Sequence, residues 1–204
     1  MKNRKLFFSF LMIFSLCVNS SSNIINATTC GCVGCGHGEY HTMGDVYLKS
    51  SSGSKIGTRY FYIAPYFSTA YSGVIKDAVL CWNVCGNMQL VKTTSVNSAQ
   101  LRILHTNIED GLYGATKFRI SSDSSIVDHA VTSNYQYAYV YLRDKALGNY
   151  ILARVTTIHE TGHALGLLHV ECSIESIMAK YLTSPNHTDY LTSFDISSIY
   201  HVYC

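Results

Sequence analysis

The chain has 204 residues, a formal net charge of +2 and eight cysteines. Three of its positive charges come from Lys2, Arg4 and Lys5, and the remainder is close to neutral, which argues against nucleic acid or an anionic membrane as a partner. The length allows one domain with a full hydrophobic core and little beyond it, and we expect a monomer.

The first 27 residues have the pattern of a secretory signal peptide. Basic residues in positions 2–5 are followed by an apolar run over 6–18 and then by small polar residues that end at Ala27. The apolar run is too short to span a bilayer comfortably, and no later stretch is long enough to anchor the chain. We therefore predict a secreted protein without a stable membrane anchor.

Residues 28–53 are predicted to form an N-terminal arm or a short prosegment. Residues 30–38 are rich in cysteine and glycine and lack helical or strand periodicity, so this part is expected outside the core. An arm held by disulfides and a small metal-binding knuckle are both open interpretations. Removal of the signal peptide leaves seven cysteines, an odd number, so at least one thiol is unpaired or intermolecular.

Residues 54–204 are predicted to form the folded domain, in which strand and helix patterns alternate. Runs of β-branched and aromatic residues predict strands at residues 58–64, 90–93, 101–104, 115–120 and 135–142. Apolar residues three and four apart predict helices over residues 71–84 and 150–165. The second helix is expected to turn three apolar side chains towards the sheet: Ile151, Val155 and Ile158.

Two loops carry residue types that could bind additional metal ions. Residues 107–114 form a turn-rich loop whose oxygens could bind Ca²⁺, with an ordinary surface loop as the alternative. Asp128 and His129 could contribute to a structural zinc site, with solvated loop residues as the alternative. The sequence leaves these alternatives open.

Three histidines at the end of the second predicted helix form a candidate metal site. His159 and His163 are four residues apart, so a helix places both imidazoles on one face. Gly166 can adopt the positive φ that ends the helix in a sharp turn, and the turn returns His169 as a third ligand. Glu160 directly follows His159, so its carboxylate is expected beside the metal, as general base for a metal-activated water.

The chemistry of this ligand set points to zinc. Three neutral imidazoles suit Zn²⁺, and a fourth tetrahedral position left open is typical of a catalytic site. Bound zinc lowers the pKa of water to about 7 and polarises a carbonyl oxygen. Peptide hydrolysis needs both effects, so the pattern predicts one catalytic zinc ion.

The pattern H-E-x-x-H-x-x-G-x-x-H over residues 159–169, followed by a methionine, resembles the metzincin zinc endopeptidases. The resemblance implies that Met178 forms a tight turn with its thioether below the three imidazoles. Residues 191–203 resemble the C-terminal helix of matrixin catalytic domains, with Asp195 at the acidic position behind that turn. A matrixin-like, zincin-like α+β fold is therefore implied for residues 54–204. It comprises a twisted, mostly parallel sheet with an antiparallel edge strand, an active-site helix, a Met-turn and a C-terminal helix.

The resemblance has further implications for substrate binding, latency and disulfides. The strand at 135–142 would be the edge along which an extended peptide adds as an antiparallel strand. Tyr181 would contact the transition state or form part of the pocket wall. Cys35 would occupy the open zinc position in a latent form. Cys172 and Cys204 would pair, because the C-terminal helix is expected behind the zinc loop.

We predict a secreted zinc-dependent endopeptidase of matrixin-like type that acts on protein or peptide substrates, with Glu160 as general base. The alternative is a non-enzymatic secreted binding module, in which the three histidines hold a structural zinc and the tyrosine-rich strand 135–142 forms an interaction surface. The two differ in the fourth zinc position, which is open in the enzyme and filled by a protein ligand in the binding module.

Overall fold

The computed structural model describes residues 41–108, 111–122, 124–127, 132–170, 175–181 and 187–204. The signal peptide, the cysteine-rich residues up to 40 with the latency candidate Cys35, two residues of the candidate calcium loop and the pair Asp128 and His129 lie outside these ranges. Calcium binding and latency therefore stay predictions. Within the described ranges, no helix combines the length and the apolar character needed to cross a membrane.

Each strand and helix predicted for residues 54–204 overlaps an element of the structure. The strands are β1 (Gly57–Ile63), β2 (Met88–Lys92), β3 (Leu101–Thr106), β4 (Gly114–Arg119) and β5 (Tyr137–Arg143). The α-helices are α1 (Thr69–Leu80), α2 (Tyr150–Ala164) and α3 (Ser193–Tyr203). Helix α1 is shorter than predicted, because residues 81–84 continue as turns.

These five strands form one sheet in the order β2-β1-β3-β5-β4. Neighbouring strands are parallel except at one edge, where β4 runs antiparallel to β5. The α+β architecture is confirmed, but the predicted edge strand is wrong, because β5 lies inside the sheet and the edges are β2 and β4. Strand β5 has side chains buried on both faces, which is typical of an interior strand: Tyr139 on one face, and Ala138, Val140 and Leu142 on the other.

Helices α1 and α2 pack against each other and against the sheet, so they cover the same face of it. Val155 and Ile158 of α2 are buried in this core, as predicted. Ile151 was predicted to be buried as well, but it is 69% exposed. The reason is that the first two residues of α2 are exposed, so the packed part of the helix begins after them.

Helix α3 is fixed at both ends. At its start, Thr192 and Asp195 form a capping box. At its end, Cys204 forms a disulfide with Cys85, which lies after α1. The predicted pairing of Cys172 with Cys204 is therefore wrong. The observed partners are 119 residues apart in sequence, and no local pattern reveals such a pairing.

Residues 41–53, which the sequence assigned to the arm or prosegment, lie against the rest of the domain. The Met43 N–H donates to the carbonyl of Gly166 at 2.8 Å, and the Leu168 N–H donates to the carbonyl of His41 at 2.8 Å. This segment therefore pairs with the loop that carries the third histidine.

Candidate active site

The three predicted metal ligands meet at the C-terminal end of α2. His159 and His163 lie one turn apart on the helix, which ends at Ala164. Gly166 then adopts a φ of +99°, a left-handed conformation that glycine tolerates, and the chain turns back towards the helix. The Nε2 atoms of His159, His163 and His169 lie 3.1, 3.1 and 3.2 Å from one another.

Backbone carbonyls determine how two of the imidazoles are presented. The Nδ1 atom of His159 donates to the Ile177 carbonyl at 2.8 Å, and that of His163 donates to the Leu167 carbonyl at 2.8 Å. Because a carbonyl oxygen only accepts hydrogen bonds, each Nδ1 carries the proton and each Nε2 keeps a lone pair for a metal. Burial, together with the neighbouring imidazoles, lowers the pKa of His163 well below its usual value, which keeps the ring neutral.

This donor set fits a single Zn²⁺ ion. The Nε2 atoms of His159 and His163 both lack a proton and still face each other at 3.1 Å, an arrangement that a shared cation stabilises. Tetrahedral zinc, with nitrogen ligands at about 2.0–2.1 Å, separates those nitrogens by roughly 3.4 Å. Among the described residues, these histidines form the one group of three side chains positioned to hold a metal ion.

A buried carboxylate fixes the carbonyl that orients His159. Asp195 is 1% exposed. It accepts hydrogen bonds from the Ser176 hydroxyl at 2.5 Å, the Ile177 N–H at 3.2 Å and the Thr192 N–H at 2.8 Å. Burial raises the pKa of Asp195 above its ordinary value, and these hydrogen bonds oppose the rise. Asp195 therefore lies behind the Met-turn, where the resemblance placed it, and acts on His159 through Ile177.

Met178 packs directly on the helix that carries the ligands. It is 1% exposed, and its Sδ fills the space that a Cβ on Gly162 would occupy. Trp82 contacts the same position and donates its indole N–H to the Ile158 carbonyl at 3.0 Å. Gly162 therefore lets α2 approach both side chains closely. The histidine motif does not reveal this role, because it leaves that position open.

Glu160 is held by the edge strand. The residue is 7% exposed, and its Oε2 accepts a hydrogen bond from the Thr116 hydroxyl on β4 at 2.8 Å. Burial raises the pKa of Glu160, whereas His159 and the Thr116 hydrogen bond lower it. A Cβ on Gly114 would lie 2.7 Å from Cγ and 2.9 Å from Oε1 of Glu160, so this glycine leaves room for the carboxylate. Sequence reasoning missed both β4 residues.

Part of the outer edge of β4 faces the cleft. At Phe118 this edge is already occupied, because Phe118 exchanges two backbone hydrogen bonds with Val127 at 2.8 and 2.9 Å. Backbone groups alternate in direction along an antiparallel strand, so Gly114 and Thr116 also turn their N–H and C=O groups outward. An extended peptide can therefore pair with these two residues, which moves the expected substrate edge from β5 to β4.

A cleft of about 770 Å³ lies between β4 and the chain that follows the Met-turn. The three histidines and Glu160 line it. Residues 111–116 form one wall, and residues 179–181 with His187 contribute to the other. Tyr181 belongs to this second wall and is 61% exposed, which fits a pocket wall. Its contact with a transition state stays a prediction.

Comparison with known protein families identifies a match over most of the domain. The family model described as Matrixin matches residues 68–204. The matched region includes the three histidines, Glu160, Met178 and α3, and it begins after β1. A search of curated proteins finds no significant match to the chain.

Proposed function

The chain belongs to the matrixin family, whose members are zinc metalloproteases, and on that premise we propose that it is a secreted endopeptidase that hydrolyses extended peptide segments. In this proposal His159, His163 and His169 hold one zinc ion, and Glu160 is the general base. The observation that carries the proposal is the Glu160 carboxylate, which lies beside the three imidazoles and under an open strand edge.

When bound, Zn²⁺ supplies Lewis acidity, which lowers the pKa of water and polarises a carbonyl oxygen. Glu160 removes a proton from the attacking water as the water oxygen bonds to the peptide carbonyl carbon. Glu160 then passes this proton to the amide nitrogen as the carbon–nitrogen bond breaks. Burial raises the pKa of Glu160 above its ordinary value, which makes the carboxylate a better proton acceptor.

The edge strand determines the expected class of substrate. Gly114 and Thr116 offer backbone groups, which pair with the backbone of any extended peptide regardless of its sequence. Unfolded or loop segments of proteins can enter as such a strand, whereas a folded helix cannot. We therefore expect cleavage of denatured proteins in preference to compact ones.

Secretion is part of the proposal. The basic and then apolar pattern of the first 27 residues supports it. The disulfide between Cys85 and Cys204 supports it independently, because disulfides persist mainly in oxidising compartments.

The test is the substitution Glu160→Gln, which keeps the size of the side chain and removes its capacity as a base. We expect kcat for cleavage of denatured casein to fall by about 10²–10⁴-fold, the usual contribution of general acid–base catalysis. Zinc content should stay at that of the parent, because Glu160 is not among the ligands. The matched control is Glu175→Gln, at an exposed glutamate, which should leave kcat unchanged. Undiminished activity of Glu160→Gln with zinc bound would exclude Glu160 as the base.

A further inference from the structure

We propose that Thr116 is a positioning residue for Glu160, so that the strand that pairs with the substrate also sets the orientation of the general base. The inference rests on the proposed function and adds a residue from β4 to it. It concerns the side chain and the backbone of Thr116 separately, because the two face different partners.

The hydroxyl of Thr116 has one proton and two acceptors within reach. They are Oε2 of Glu160 at 2.8 Å and the backbone carbonyl of Glu160 at 2.9 Å. A charged carboxylate is the stronger acceptor, so the hydroxyl donates to Oε2 while Glu160 is ionised. When the carboxylate has taken a proton, the carbonyl oxygen is the alternative partner, so the hydroxyl remains satisfied throughout proton transfer.

This hydrogen bond selects one orientation of a flexible side chain. In the part of the chain that the structure describes, Thr116 is the one hydrogen-bond donor to the Glu160 carboxylate. The bond holds Oε2, and Oε1 lies next to Gly114, where a Cβ would come within 2.9 Å of it. A displaced base lowers turnover steeply, since a misplacement of about 1 Å can cost roughly 10²-fold in rate.

The backbone N–H and C=O of Thr116 face the open edge of the sheet, whereas its side chain faces helix α2. These N–H and C=O groups are among the outward groups of β4 that an extended peptide can pair with. Removal of the hydroxyl leaves these groups in place. The loss should therefore appear in kcat and leave KM nearly unchanged, a combination that a general disturbance of the cleft would not produce.

The experiment compares Thr116→Val, which keeps the shape and removes the hydroxyl, with Thr116→Ser, which keeps the hydroxyl. For Thr116→Val we expect kcat to fall about 10- to 100-fold, with KM within about twofold of the parent. Thr116→Ser should recover kcat to within about threefold. The matched control is Thr161→Val, because Thr161 is also buried and its hydroxyl has no hydrogen-bond partner in the described structure. This control should turn over like the parent.

Two further measurements test the proposal without relying on kcat of Thr116→Val alone. A crystal structure of Thr116→Val should show the Glu160 carboxylate rotated away from its parent position, and an unchanged carboxylate would overturn the proposal. The double variant Thr116→Val with Glu160→Gln should be no slower than Glu160→Gln alone, because the Thr116 hydroxyl acts only through Glu160.

The outcomes separate this inference from the function on which it rests. Full kcat in Thr116→Val, or no recovery in Thr116→Ser, would refute the role of Thr116 and leave Glu160 as base intact. If Thr116→Val does not fold, the same two requirements apply to Thr116→Ala and Thr116→Ser. Full activity in Glu160→Gln, in contrast, would refute the proposed function itself.

Discussion

The two flanks of helix α2 are built differently. On the Met-turn flank, polar groups are buried and bonded to one another: Ser176 is 0% exposed and Asp195 is 1% exposed, and their side chains share a hydrogen bond of 2.5 Å. On the β4 flank, Gly114 and Thr116 leave backbone groups open to the cleft, and one hydroxyl holds the Glu160 carboxylate.

Because of this difference, the two flanks should control different properties of the protein. The Met-turn flank, which we call the closed flank, fixes the carbonyl that orients His159, so it should determine stability and metal affinity. The β4 flank, which we call the open flank, holds the base and is proposed to pair with substrate, so it should determine turnover. Substitutions of similar size on the two flanks should therefore change different quantities.

The largest expected effect is on the closed flank, at Asp195. Replacement by alanine removes the acceptor of two buried donors, the Ser176 hydroxyl and the Ile177 N–H, and of the N–H and hydroxyl of the half-buried Thr192. We expect the free energy of unfolding to fall by about 3 kcal/mol, with a drop in Tm of roughly 10 °C. Zinc affinity should fall about 10- to 100-fold, the usual cost of losing support behind a metal ligand. Thermal unfolding and zinc titration measure the two effects.

The control for Asp195→Ala is Asp77→Ala, at a carboxylate whose side chain is 58% exposed and paired with Lys76 on the surface. It should change the free energy of unfolding by less than about 0.5 kcal/mol. Equal stability losses in the two variants would contradict the closed-flank account.

How much could be predicted from the sequence depends on how far apart the interacting residues lie along the chain. The ligands His159, His163 and His169 lie within eleven residues, so helix geometry and one glycine turn were sufficient to place them. Thr116 and Glu160 are 44 residues apart, and their contact depends on which strand forms the edge. Strand order and disulfide pairing are set by long-range packing, which periodicity and local propensity do not contain.

Alanine substitutions at two glycines, one on each flank, should affect stability differently. On the closed flank, a Cβ at Gly162 would collide with the Met178 sulfur and lie 2.9 Å from the Trp82 ring, both in the buried core. We expect Gly162→Ala to lower the free energy of unfolding by about 2 kcal/mol, although alanine favours a helix. The control is Gly73→Ala in α1, where a Cβ meets nothing within 4 Å. Here the stability should rise by about 0.5–1 kcal/mol.

Of the substitutions on the two flanks, Gly114→Ala on the open flank is expected to change the free energy of unfolding least. A Cβ there would lie 2.7 Å from Cγ of Glu160 and 2.8 Å from Cγ2 of Thr156, so both side chains must shift. Because both line the open cleft, Gly114→Ala should cost about 1 kcal/mol, less than Gly162→Ala in the closed core. Because the shift displaces the base, kcat should fall about 10- to 100-fold. Steady-state kinetics and chemical denaturation on the same samples test both points. A Gly114→Ala variant that loses more stability than Gly162→Ala, with kcat unchanged, would reverse the assignment of the flanks.

We infer that three imidazoles hold one zinc ion whose remaining position no side chain fills. X-ray absorption at the zinc edge, measured on purified, catalytically active protein, identifies the atoms bound to this ion. We predict a first shell of light atoms only, including three imidazole nitrogens at about 2.0–2.1 Å, with one zinc ion per chain. A sulfur neighbour at about 2.3 Å would place a cysteine on the metal and favour a structural site, and it would contradict the account.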